Sequence, residues 1–162
     1  YFHIIQNSTT YFKNRWFTEG TARWSERALG AGDLGPARIL SSWSLPEAQQ
    51  AALGAMAYEA SEHFWNPRCR RLQAMTYTDG TPVLKDLRLT GWRFIREVVR
   101  ELDRVDDIAF RELGYDRWSE ANQTSPKNDP FILKAVDAVL NRTKAELPQP
   151  APSNRNTLPT PP

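Results

Sequence analysis

Apolar positions along this chain fall into a few short runs, and most recur at helical spacing. Phe2, Ile4 and Ile5 stop at the polar cluster Asn7-Ser8-Thr9-Thr10, the pattern of a buried helix end closed by turn-forming residues. A second segment, 17–29, has apolar or small residues at Phe17, Ala22, Trp24 and Ala28. Thr18 is its expected N-cap, Glu19 lies in its first turn and Gly30 closes it. About six to eight residues join the two segments, which suits an antiparallel helix pair. His3 and Glu19 then face each other across the seam.

Residues 30–43 form a loop with Gly30, Gly32, Gly35, Pro36 and the acid Asp33. Ser44-Leu45-Pro46-Glu47 is a capping box with proline in the first turn. It predicts a helix over 45–65, ended by Asn66-Pro67. Leu45, Ala52, Met56, Ala60 and Phe64 share an apolar face, with Tyr58, Glu62 and Trp65 on another. Arg68, Arg70 and Arg71 make a basic cluster, expected as a solvated patch. The Asp79-Gly80 turn between β-prone runs predicts a small irregular or hairpin excursion near 70–89.

The clearest amphipathic helix spans 92–113. Trp92, Ile95, Val99, Leu102, Ala109 and Leu113 line one face, widened by Val98, Val105 and Ile108. Arginines and acids alternate on the other face, and Gly114 caps the end. A short turn surrounds Trp118. Asp129-Pro130 starts a last helix over 130–145, with Phe131, Ile132, Ala135, Val136, Val139 and Leu140 as a broad stripe. These elements make a mainly α fold over residues 1–147. The proline-rich segment 148–162 is an extended linker or tail, expected to pack on nothing.

Composition narrows the function. The chain has 162 residues, 40% hydrophobic content and six tryptophans, enough for one well-packed domain. A net charge of +2 and no known reading motif argue against nucleic acid. Sixteen arginines against five lysines supply many planar, forked ion-pair donors. Cys69 is the sole cysteine, so no internal disulfide forms. No run approaches the roughly 18 apolar residues of a membrane span.

Candidate chemistry concentrates in the first twenty-six residues. An imidazole and a carboxylate on two facing helices are two thirds of a His-His-Glu zinc site. In H-E-x-x-H, the x-x-H corresponds to Tyr1-Phe2-His3, and the His-Glu pair falls immediately before Tyr1. Two donors about 2 Å from one metal place the His3 ring and Glu19 carboxylate roughly 3 to 5 Å apart. Taken singly, each residue has an ordinary account: His3 as a core or surface histidine, Glu19 for the helix dipole, Gly20 for close packing. Their spacing, with the tryptophans, favours the metal.

The stretch Trp16-Phe17-Thr18-Glu19-Gly20-Thr21-Ala22-Arg23-Trp24-Ser25-Glu26, after x-x-H-I-I-Q, resembles the gluzincin zinc metallopeptidases. Their glutamate ligand sits in a W-x-x-E-G-x-A-type helix. The resemblance covers about thirty residues. It implies the helical lower lobe of such an enzyme, with zinc as cofactor, His3 and Glu19 as metal ligands and a peptide or protein as substrate. The preceding N-terminal lobe supplies the first histidine and the general-base glutamate, so this polypeptide alone is expected to be inactive. The resemblance also implies an oxyanion donor from the helical lobe. Tyr58 is the first candidate, ahead of His63, and a half-buried tyrosine with its hydroxyl in water is its ordinary account. Export from the cell is an expectation of the resemblance alone. Two other classes fit the same residues: a non-catalytic helical module that binds protein through tryptophans, and a degenerate metallopeptidase that kept the fold and lost the metal.

Overall fold

The strongest periodic pattern in the sequence forms the centre of the packing. The computed structural model describes residues 2–30, 47–71 and 91–146. Helix is the dominant structure among them, and no strand occurs there. In chain order the helices are α1 (Phe2–Thr9), α2 (Arg15–Gly30), α3 (Glu47–Gly54), α4 (Asn66–Arg71), α5 (Trp92–Glu112), α6 (Glu120–Gln123) and α7 (Asp129–Glu146). A π-helical turn, Ser61–Trp65, leads into α4, and a 3-10 turn, Pro126–Asn128, leads into α7.

Helix α5 buries Phe94, Ile95, Val98, Val99, Leu102, Val105 and Ala109. It packs along α7, whose Ile132, Ala135, Val136, Val139 and Leu140 are buried. On the rim, Arg142 of α7 donates to the Glu101 carboxylate of α5 at 3.0 Å. Burial alone lifts the Glu101 pKa, but hydrogen bonds from Arg104 and Arg142 outweigh it and hold the group below its ordinary range.

The end of α5 follows from its sequence. Gly114 adopts φ 65°, and its N–H donates to the Arg111 carbonyl. The Tyr115 N–H donates to the Phe110 carbonyl, and the two rings meet edge to face at 6.4 Å. This is the Schellman arrangement with its hydrophobic contact.

Several expectations are corrected. Helix α2 begins at Arg15, so Thr18 lies inside it as a buried residue, not as its N-cap. The Phe17 and Thr18 N–H groups instead bond the Asn14 carbonyl. The connection between α1 and α2 is residues 10–14, shorter than expected. The helix expected over 45–65 divides: α3 ends at Gly54, and a turn containing Tyr58 precedes the π-helical turn. Ala52 is exposed and Leu53 is buried in its place. Trp65, expected on a face other than the main apolar one, is fully buried. Asn66-Pro67 opens α4 rather than ending a helix. The Asn66 N–H bonds the Ser61 carbonyl across the π turn, and Pro67 follows where the π-helical turn passes into α4. Arg68 is buried, with its guanidinium 3.7 Å above the Phe64 ring centroid and a bond to the Phe64 carbonyl at 2.9 Å. The loop 31–43, most of the capping box, the excursion over 72–89 and the tail 148–162 lie outside the described residues.

Candidate metal centre

The loop 10–14 fixes how α1 meets α2. Asp106 of α5 accepts from the Thr10 hydroxyl and the Tyr11 N–H, both at 2.9 Å. The Lys13 N–H donates to the Gln123 carbonyl at 2.9 Å. Asn14 donates to the Ser125 carbonyl at 2.9 Å and to Asp129 at 2.8 Å. Asp129 also accepts from the Trp16 indole at 2.6 Å. A short polar connection is thus tied to α5, to the residues after α6 and to the start of α7. Burial raises the pKa of both Asp106 and Asp129, and their hydrogen bonds only partly offset it.

Trp16 begins the core of α2. Its ring packs on Phe64 at 5.2 Å and stacks with Trp65 at 5.9 Å, while the Trp65 indole donates to the Trp16 carbonyl at 3.1 Å. Gly20 makes this approach possible. A Cβ there would lie 2.9 Å from both the Ala60 Cβ and the Trp65 Nε1. The glycine after Glu19 therefore serves close packing of α2 against the π-helical turn.

With the frame set, the named residues fall together. His3 Nε2 lies 3.6 Å from Glu19 Oε2, with side-chain exposures of 48% and 25%. Both groups are accessible, and neither is sealed in a core pair. Tetrahedral coordination at about 2.0–2.1 Å separates two donor atoms by roughly 3.3 Å, so the observed gap fits two ligands of one zinc. Tyr58 lies within hydrogen-bond reach of the same carboxylate. A hydrogen bond to Glu19, and then the charge of Glu19, raise the Tyr58 phenol above its ordinary pKa. Tyr58 is exposed and sits in the turn after α3, not on a helix. His63 lies within the π-helical turn, half-buried, and no contact joins it to this cluster.

Sequence reasoning did not single out Gln6. It is fully buried, and its Oε1 lies 2.8 Å from His3 Nδ1. Its Nε2 donates to the Thr18 carbonyl at 3.1 Å and to the Thr21 hydroxyl at 2.6 Å. The i, i+3 spacing of His3 and Gln6 on one helix was the available signal.

Beside His3, a groove of about 360 Å³ is lined by Phe2, Ile5, Ala22, Ser25, Glu26 and Trp92. Among the described residues no group of three His, Cys, Asp or Glu side chains is placed to hold a metal. The cluster is an imidazole and a carboxylate in close approach, with the Tyr58 phenol bonded to the carboxylate. No helix among the described residues is long and apolar enough to cross a membrane. Compared with protein-family models, curated proteins and solved structures, the chain finds no match.

Proposed function

We propose that this chain is the helical lower lobe of a gluzincin-like zinc peptidase, with His3 and Glu19 as two of its three protein ligands. The observation that carries this is the 3.6 Å approach of His3 Nε2 to Glu19 Oε2 from two separate helices. On this reading the third ligand and the general base would come from the His-Glu of an H-E-x-x-H motif, to which Tyr1-Phe2-His3 would supply the x-x-H.

Bound zinc would supply a water with a pKa near 7 and polarise the scissile carbonyl. His3 contributes a neutral nitrogen lone pair, and Glu19 a carboxylate that offsets part of the metal's charge. Tyr58, with its phenol pKa raised, keeps its proton at neutral pH. Its single hydrogen is donated to Glu19 in the chain as it stands, and with zinc bound it would turn to the oxyanion as the peptide carbonyl becomes tetrahedral. The substrate is a peptide or protein, and the groove of about 360 Å³ beside His3 is the place on this chain for one of its side chains.

The test is hydrolysis of a mixed peptide library by the full-length protein. Cleavage that a zinc chelator abolishes and added zinc restores supports the proposal. Cleavage indifferent to chelator, or neither zinc binding nor cleavage, contradicts it; the latter outcome favours a degenerate peptidase that lost the metal.

A further inference from the structure

The contacts of Gln6 carry a consequence for His3 beyond its identity as a ligand. A carboxamide has one acceptor oxygen and two donor hydrogens. Both hydrogens of Gln6 Nε2 are committed on α2, one to the Thr18 carbonyl at 3.1 Å and one to the Thr21 hydroxyl at 2.6 Å. The Thr18 carbonyl can only accept, so nitrogen must face it. The Thr21 hydroxyl spends its own hydrogen on the Phe17 carbonyl at 2.7 Å, so towards Gln6 it too accepts. Every hydrogen in this chain of bonds is accounted for, and the amide cannot turn over. Its oxygen is therefore left facing His3 Nδ1 at 2.8 Å. An oxygen that can only accept requires a hydrogen on Nδ1. In the neutral ring the lone pair is then on Nε2, the nitrogen that faces Glu19.

We propose that Gln6 is the positioning residue of the metal half-site, holding His3 in the Nδ1–H tautomer with the Nε2 lone pair directed to the side of Glu19. This rests on the zinc peptidase proposal for its purpose, but not for its geometry. The His3 ring is about half exposed, and an imidazole so placed turns freely unless something holds it. Gln6, fully buried, is an anchor with no freedom of its own. Its two acceptors, Thr18 and Thr21, flank Glu19-Gly20 on α2. One buried amide thus ties the histidine of α1 to the backbone turn that carries the glutamate. Outer-sphere hydrogen bonds of this kind set the orientation and basicity of metal-bound imidazoles, and their loss costs about 10–100-fold in metal affinity.

The test has two arms. In the metal-free full-length protein at a pH where His3 is neutral, nitrogen NMR shifts of the His3 ring report which nitrogen carries hydrogen. The wild type is expected to be mainly the Nδ1–H form. Gln6→Met and Thr21→Val are expected to drift toward a mixture of both forms, while Thr21→Ser keeps the wild-type tautomer. A wild-type ring that is mainly Nε2–H overturns the proposal without any variant, so a misfolded Gln6→Met leaves the result decisive. Zinc titration is the second arm. Gln6→Met and Thr21→Val are expected to bind zinc about 10–100-fold more weakly, with Thr21→Ser near wild type. Equal affinity in all four overturns the positioning role. A correct tautomer in a protein that binds no zinc leaves the Gln6 geometry standing and removes the peptidase proposal.

Discussion

Tyr58, like any phenol, keeps its proton at neutral pH. The hydrogen bond to Glu19, and then the charge of Glu19, raise its pKa further. In the full-length protein Tyr58→Phe is expected to lower kcat by about 10²–10³-fold with little change in KM, the size seen when one oxyanion donor is removed. An unchanged kcat would show that Tyr58 merely sits at the rim. Gly20 acts through space. Gly20→Ala pushes a methyl to 2.9 Å from Ala60 and Trp65, and overpacking of this kind costs about 1–3 kcal/mol in urea unfolding. A neutral Gly20→Ala would mean that the π-helical turn can retreat. The approach of His3 to Glu19 was legible from a connection short enough to fold α1 back on α2. Gln6 was not, since its i, i+3 spacing from His3 is one that any helix offers and does not by itself mark a bond. Only the fold reveals that its amide reaches Thr18 and Thr21.

Helices whose burial follows a single repeated face were legible from periodicity. The expectations for 92–113 and 130–145 correspond closely to α5 and α7, because Leu102, Val136 and their neighbours need nothing beyond each other to define an inner face. The stretch 45–65 was legible only in part. Its apolar spacing continues past Gly54, but spacing is blind to the bonds that redirect the chain. The Met56 N–H bonds the Leu53 carbonyl, and the Ala57 N–H bonds the Glu59 carboxylate at 3.1 Å. Trp65 then turns inward to meet Trp16. Gly114 tests the end of α5. No atom lies within 4 Å of a Cβ built there, so Gly114→Ala meets only the backbone cost of φ 65°, about 1–2 kcal/mol. Thermal unfolding of the variant checks this, and an unchanged Tm would contradict it.

Taken together, α5 and α7 form a base, and the α1–α2 connection is bonded to it through Asp106, Asn14 and Asp129. That attachment has a pH signature. Burial raises the Asp106 pKa in the fold, so the folded state holds its proton at pH values where the unfolded chain has lost it. The sign follows: this group's contribution to stability rises as pH falls from neutral toward the ordinary aspartate range near 4. Asp106→Asn is expected to lose that slope, read as Tm between pH 7 and 5, wild type against variant. Identical slopes would mean that Asp106 is well solvated in the folded protein. The base was readable from the sequence, whereas its bonds to the site were not, because they join residues about a hundred positions apart that no local pattern connects.

The most direct test of the proposed zinc site is zinc content of the purified full-length protein, wild type against Glu19→Ala and His3→Ala, with helicity followed by circular dichroism. One tightly held zinc per wild-type chain is predicted, and each variant should lose it while keeping its helical signal. Equal zinc in all three proteins, or none in the wild type, would contradict the account.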